Sequence, residues 1–219
     1  DGGIKPIVMP VLYGGVSTIP NLTEELAKGG YNEIVILDSA HCVTPKMKSD
    51  VVFFSFHPYK PIASSDGGMI STNDKDISKY VESYRNFGRQ NTSKGYEIVG
   101  SGFKFYMNNL NATIALTQLE VYNEKLEQRK ESFNKLKSLG LKGRLIEHDL
   151  NSSYYIATLI AEDKKTAQLY RGKYVNSRLY PPLHQQPYYI DGHQQTLNNT
   201  EDIYPKLVNL PLYDPKIYE

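Results

Sequence analysis

Glu33-Ile-Val-Ile-Leu-Asp38 decides the fold: it is an unbroken apolar run, too short for a core helix, that ends on a carboxylate. Runs of this kind read as strands buried on both faces, as in a parallel sheet. Upstream, Lys5-Pro-Ile-Val-Met-Pro-Val-Leu12 reads as another buried strand despite its two prolines. Between them, Asn21-Leu-Thr-Glu-Glu-Leu-Ala-Lys28 forms a short helix with acidic residues early, closed by Gly29-Gly30. Strand, helix, strand is the pattern of parallel strands joined by a crossover. Downstream, residues 51–56 (Val-Val-Phe-Phe-Ser-Phe) supply a third strand and 68–72 (Gly-Met-Ile-Ser-Thr) a fourth.

Farther along, Ile77, Val81 and Tyr84 recur at helical spacing over 74–86, with Gly88 just beyond the end. The polar, glycine-containing stretch 90–102 reads as an exposed loop. A long helix is expected over 109–139, capped by Gly140, with Leu119, Tyr122, Leu126, Phe133, Leu136 and Leu139 on one face. At 1.5 Å per residue it would be about 45 Å long, more than one compact domain needs, so it connects two. The division expected is 1–125 and 126–219. In the second part, 154–160 and 174–179 read as strands and 164–171 as a helix. The last forty residues, with Pro181, Pro182, Pro187, Pro205, Pro211 and Pro215, read as loop. The expected fold class is α/β, a mostly parallel sheet followed by a small C-terminal α+β domain.

Composition narrows the function classes. With 25 Lys plus Arg against 24 Asp plus Glu in 219 residues, no global field draws the chain to nucleic acid or to an anionic membrane. No apolar run approaches the roughly 18 to 20 residues that span a bilayer. One cysteine, Cys42, allows no internal disulfide, which suits a reducing compartment, and cytoplasmic is the expected location. The five histidines show no metal-ligand spacing.

Asp38 stands at the C-terminal end of a parallel strand, where open α/β sheets place ligands. A carboxylate there can hold a cationic ring nitrogen, or it can cap the turn into Ser39-Ala-His41. Lys60 follows the third strand between Pro58 and Pro61. A loop lysine taken alone is a solvated surface charge. Held among aromatic and proline side chains, it is partly desolvated, which favours the neutral amine that attacks aldehydes. Ser55, Ser64 and Ser65, with the backbone N–H groups near Gly67-Gly68, can bind a phosphate.

Taken together, Ile36-Leu-Asp38-Ser-Ala-His41, Ser55-Phe-His-Pro-Tyr-Lys60 and Ser65-Asp-Gly-Gly-Met-Ile70 resemble the DegT/DnrJ/EryC1/StrS family of sugar aminotransferases, which depend on pyridoxal 5'-phosphate (PLP). The resemblance continues through Arg85-Asn-Phe-Gly-Arg89, Gly102-Phe-Lys-Phe-Tyr106, Leu116-Thr-Gln-Leu119, Tyr180-Pro-Pro-Leu-His184 and Leu210-Pro-Leu-Tyr213. It implies part of the large domain of a fold type I PLP-dependent transferase. By position, Lys60 matches the Schiff-base lysine, which also moves a proton during transamination. Asp38 matches the partner of the pyridinium nitrogen, Ala40 the small residue against the ring face, His41 the residue facing the ring hydroxyl, and Ser55 a phosphate ligand. Lys104 matches a residue that reaches the phosphate from the neighbouring subunit, which implies a homodimer with shared sites. His184, otherwise a surface-loop histidine, matches a sugar-nucleotide contact.

The resemblance also has departures. The stretch 41–50 is short for the family, Asp66 stands where glutamate is commoner, and the segment 154–180 is abbreviated. Asp1 corresponds to the middle of the family's large domain, and the expectation is an N-terminally incomplete record of a longer polypeptide. The implied reaction moves an amino group from glutamate to a nucleotide-linked keto sugar. The alternative is a non-catalytic sugar-nucleotide-binding or assembly subunit derived from the same fold.

Overall fold

The computed structural model describes residues 6–17, 19, 22, 34–174, 180–190 and 196–218. Most of the helix expected over 21–28, most of the strand expected over 174–179, and His193 lie outside the described residues. The chain divides into two compact units between Tyr122 and Asn123, with Asn151–Ser153 returning to the first.

The first unit carries a four-stranded sheet in the order β1-β2-β3-β4, formed by Ile7–Val8, Ile34–Asp38, Val51–Ser55 and Gly68–Thr72. β1 and β2 are parallel, as are β2 and β3, whereas β4 returns antiparallel to β3. The strand expected over 5–12 is reduced to two residues because Pro6 and Pro10 have no N–H to donate. Their carbonyls still accept: Pro6 takes the Ile34 N–H at 3.0 Å and Pro10 the Asp38 N–H at 2.9 Å. Leu12, Leu37 and Cys42 form the buried apolar centre beneath this end of the sheet.

Helix α1, Lys75–Tyr84, begins where Asp74 accepts the Asp76 and Ile77 N–H groups at 2.8 and 3.0 Å. The stretch expected as a loop over 90–102 is instead largely a hairpin, β5 (Arg89–Thr92) against β6 (Gly95–Ile98). Its strands are exposed on both faces, so no apolar alternation marks them in the sequence. Gly88, at φ +72°, admits this turn-back; a Cβ there would stand 1.9 Å from the Gly100 carbonyl oxygen.

The long helix expected over 109–139 is two helices, α2 (Asn109–Glu120) and α3 (Tyr122–Ser138). Val121, at φ −98° and ψ 7°, breaks the ladder without a proline or glycine to announce it. The break comes where the Tyr122 ring is buried and its hydroxyl meets Ser153 Oγ at 3.0 Å, a tertiary contact. Among the described residues no helix is long and apolar enough to cross a membrane.

The second unit has an antiparallel sheet ordered β7-β8-β9, from Gly143–Leu145, Ile156–Ala161 and Leu207–Pro211. Helix α4, Lys164–Lys173, runs two residues beyond the expected end and is capped by Asp163. Short helices α5 (Pro187–Ile190) and α6 (Asn198–Ile203) interrupt the proline-rich stretch. β9 corrects the reading of that stretch as loop. Its prolines mask a strand that Arg171 helps fix by donating to the Pro205 and Leu207 carbonyls at 2.9 and 3.0 Å. Ala157, Leu159 and Ala161 of β8 pack with Val208 and Leu210 of β9 and with Phe133 and Leu136 of α3. Because Leu159 is fully buried, Leu159→Ala should cost about 2–5 kcal/mol, read as a lower urea midpoint by circular dichroism.

Candidate active site

Asp38, His41 and Lys60 come together at the C-terminal ends of β2 and β3. Asp38 closes β2 opposite Phe53, and its Oδ1 accepts the Ala40 N–H at 2.9 Å. The carboxylate therefore shapes the turn that carries Ala40 and His41. Lys60 sits on a loop whose neck is fastened by two backbone bonds, Phe56 N–H to the Gly67 carbonyl at 2.9 Å and Ser64 N–H to the Phe56 carbonyl at 2.7 Å. Inside the loop, Lys60 N–H donates to the His57 carbonyl at 2.8 Å, and His57 Nδ1 accepts the Tyr59 N–H at 3.4 Å. Ser64 Oγ donates to the Asn111 carbonyl at 2.9 Å and Ser65 Oγ to Asn111 Oδ1 at 2.5 Å, tying the loop to α2. A lysine on so restrained a loop presents its amine from a fixed place.

The electrostatics follow from this arrangement. Burial holds the Lys60 ammonium below the usual lysine range, and the Asp38 carboxylate opposes that shift. His41 is buried, and burial first, then the Lys60 charge, lowers its pKa to about 4. The ring is neutral at pH 7. Its Nδ1 accepts the Gly14 N–H at 3.2 Å, so the proton is assigned to Nε2. In the unfolded chain the same histidine titrates near 6.5, so between about 6.5 and 4 the unfolded state holds more protons. The contribution is present in full above 6.5 and is lost as pH falls through that window. The urea midpoint should drop across it, and His41→Asn should flatten that part of the profile.

Ser55 ends β3 opposite Gly68, and its Oγ accepts the His57 N–H at 3.3 Å. Gly68 leaves no room for a side chain: a Cβ would stand 2.6 Å from the Phe54 carbonyl oxygen. An apolar cavity of about 410 Å³ lies alongside, lined by Ala40, Ser55, Ile62, Met107, Ala115 and Leu119 among others. Asp38, His41 and Lys60 do not line it. Lys104 is exposed; its backbone bridges Asn86, and its ammonium stands 5.6 Å from the centre of the Tyr106 ring. His184 belongs to the second unit, in the turn Leu183–Gln185, with Nε2 3.2 Å from Glu201 Oε1. Lys104 is not one of the charges that act on His41 or Lys60.

The sequence profile of the DegT/DnrJ/EryC1/StrS aminotransferase family matches residues 5–216. The chain belongs to this family. The spore coat polysaccharide biosynthesis protein SpsC of Bacillus subtilis is 25% identical over 240 residues, covering 94% of this chain and 61% of SpsC. GDP-perosamine synthase of Caulobacter vibrioides is 33% identical over 130 residues, covering 56% of this chain and 34% of the synthase. Helicobacter pylori PseC, an aminotransferase of pseudoaminic acid biosynthesis, superposes with a TM-score of 0.78 at 20% identity, covering 93% of this chain and 60% of PseC. Spr1654 of Streptococcus pneumoniae, solved in a PLP form, superposes with a TM-score of 0.81 at 20% identity, covering 97% of this chain and 65% of that one. The chain thus spans about three-fifths of the length of such relatives. The architecture is the α/β fold of the fold type I aminotransferases.

Two residues that tie down the turns beside His41 were not among those singled out from the sequence. Gly14 supplies the N–H that holds the His41 ring, from a turn in which its φ is +72°. Ser153 donates its N–H to the Gly15 carbonyl at 2.7 Å, and no local motif at 151–153 points to it.

Proposed function

We propose that this chain carries the PLP-binding part of an aminotransferase that moves an amino group from glutamate to a nucleotide-linked keto sugar. What carries the reading is the electrostatic group of Lys60, Asp38 and His41 at the strand ends of a DegT-family chain. The residues fit the cofactor. A half-buried, pKa-lowered amine suits an aldehyde, a carboxylate within its field suits a cationic ring nitrogen, and a neutral imidazole can hydrogen-bond a ring oxygen. Bound PLP would supply the electron sink for cleaving a bond at the carbon that carries the amino group.

Each residue then has a task. Lys60 would hold the cofactor through its amine and would be the group that moves a proton at the reacting carbons. Asp38 would keep the ring nitrogen protonated, and the same carboxylate orients the turn at Ala40 through the 2.9 Å bond, which would leave a small side chain for the ring to lie against. His41, with its proton on Nε2, would donate to the ring oxygen of the bound cofactor. Ser55 contributes to phosphate binding, and His184 to binding of the sugar nucleotide.

Lys104 acts across a homodimer. Supporting this, α2 leaves Leu110, Leu116 and Leu119 at 78%, 60% and 51% exposure, an apolar surface that a second copy would cover. Mixing Lys60→Ala chains with Lys104→Ala chains should restore amino transfer that neither variant has in full, because one intact composite site forms per mixed dimer. Sedimentation shows the dimer, and mass spectrometry of the sugar shows the rescue.

The deciding experiment supplies PLP, glutamate and a panel of nucleotide-linked keto sugars to the purified chain and looks for an aminated sugar by mass spectrometry. An aminated product, with 2-oxoglutarate formed alongside, is expected. Sugar-nucleotide binding without PLP binding or amination would instead indicate a non-catalytic sugar-nucleotide-binding subunit.

A further inference from the structure

Asn151–Ser153 belongs to the first unit although the chain on either side of it belongs to the second. Ser153 is fully buried there. Its hydroxyl accepts the Val43 N–H at 2.8 Å and the Tyr122 O–H at 3.0 Å, and Cys42 Sγ lies 3.8 Å away on its donor side. Its backbone N–H donates to the Gly15 carbonyl at 2.7 Å, and Thr44 Oγ1 donates to the Asn151 carbonyl at 2.9 Å. These partners bracket His41. Cys42 and Val43 follow it in the chain, and Gly15 follows Gly14, whose N–H holds the His41 ring at 3.2 Å.

We propose that Ser153 is a positioning residue: by joining the turn at 13–15 to the loop at 39–44, it sets how Ala40 and His41 are presented beside Lys60. This rests on the reading of that group as a PLP site. Ser153 touches none of the three itself. It acts through a buried hydroxyl on which two donors converge, and removing it strands the Val43 N–H, which regains a partner only by moving. Val43 is two residues from His41, so its movement carries the imidazole with it. A merely stabilising serine would lower the urea midpoint on removal and leave the His41 ring where it is.

The test compares Ser153→Ala and Tyr122→Phe with the wild-type chain. It uses PLP affinity from absorbance titration, and the ring nitrogen-15 resonances of His41 in histidine-labelled, PLP-free protein. Ser153→Ala should weaken PLP binding about tenfold and shift the His41 resonances away from the pattern of a ring protonated on Nε2. Tyr122→Phe, which leaves the Val43 bond intact, should move both in the same direction by less. If either readout is unchanged in a folded Ser153→Ala chain, the proposal is overturned. Should that variant fail to fold, Tyr122→Phe decides in the same way. If the wild-type chain binds no PLP, the aminotransferase reading fails, and the His41 resonances alone decide the positioning role.

Discussion

Lys60→Ala should abolish amino transfer while leaving the chain folded. Proton transfer by a placed side chain is worth about 10²- to 10⁴-fold, and the loss of the attacking amine comes on top of it. A fall below about 10⁻⁴ of the wild-type rate is the expected size, read as aminated sugar by mass spectrometry. With it should go the absorbance band that appears when PLP is added to wild-type protein and differs from that of free PLP. The fold should survive because the loop is held by backbone bonds at Phe56, Ser64 and Gly67 and by the serine contacts to Asn111, none of which uses the lysine side chain. A cofactor-independent sign accompanies the change. Lys60 is one of the two causes that lower the His41 pKa to about 4, so its removal should raise the His41 titration midpoint. Retention of the PLP band in Lys60→Ala would sink the assignment of this lysine.

Asp38→Asn should separate the two things a carboxylate can do at this strand end. Asparagine keeps an Oδ1 to accept the Ala40 N–H, so the turn built on that 2.9 Å bond should persist and the urea midpoint should change little. The negative charge is lost. Without it a bound ring nitrogen loses the partner that keeps it protonated, and amino transfer should fall by about 10²- to 10³-fold, the usual cost of removing one placed electrostatic stabiliser. Lys60 loses a charge that raises its pKa against burial, so that pKa should fall further. Full activity in Asp38→Asn would reduce Asp38 to a turn cap. Loss of activity in step with loss of folded protein would do the same.

Leu159→Ala probes a different part of the molecule, and its lesson is about how patterns are read. Residues 156–161 bury every second side chain, yet Ile-Ala-Thr-Leu-Ile-Ala reads as a strand because it is a short apolar run, not because it alternates. Its partner β9 reads as loop because Pro205 precedes it and Pro211 ends it, yet Val208 and Leu210 are fully buried. Pro211 is tolerated at the strand's last residue, on an edge strand paired with β8 alone. The hairpin over 89–98 failed to show for the opposite reason: with both faces wet, nothing selects for alternation.

By itself the sequence determined the parallel arrangement of the first strands, since 34–38 and 51–55 are apolar runs that only a sheet flanked on both sides can bury. It also placed Asp38 and His41 at the end of one strand and Lys60 just beyond the next, because strand ends and the loops after them are local features. Only the tertiary structure decided the break at Val121 and the tie between Ser153 and the loop at 39–44. Those depend on a tyrosine ring, a hydroxyl and backbone N–H groups that meet across 31 residues of chain between Tyr122 and Ser153 and 110 between Val43 and Ser153. Periodicity registers which face of an element is apolar; it carries no information about which distant polar group will satisfy a buried one.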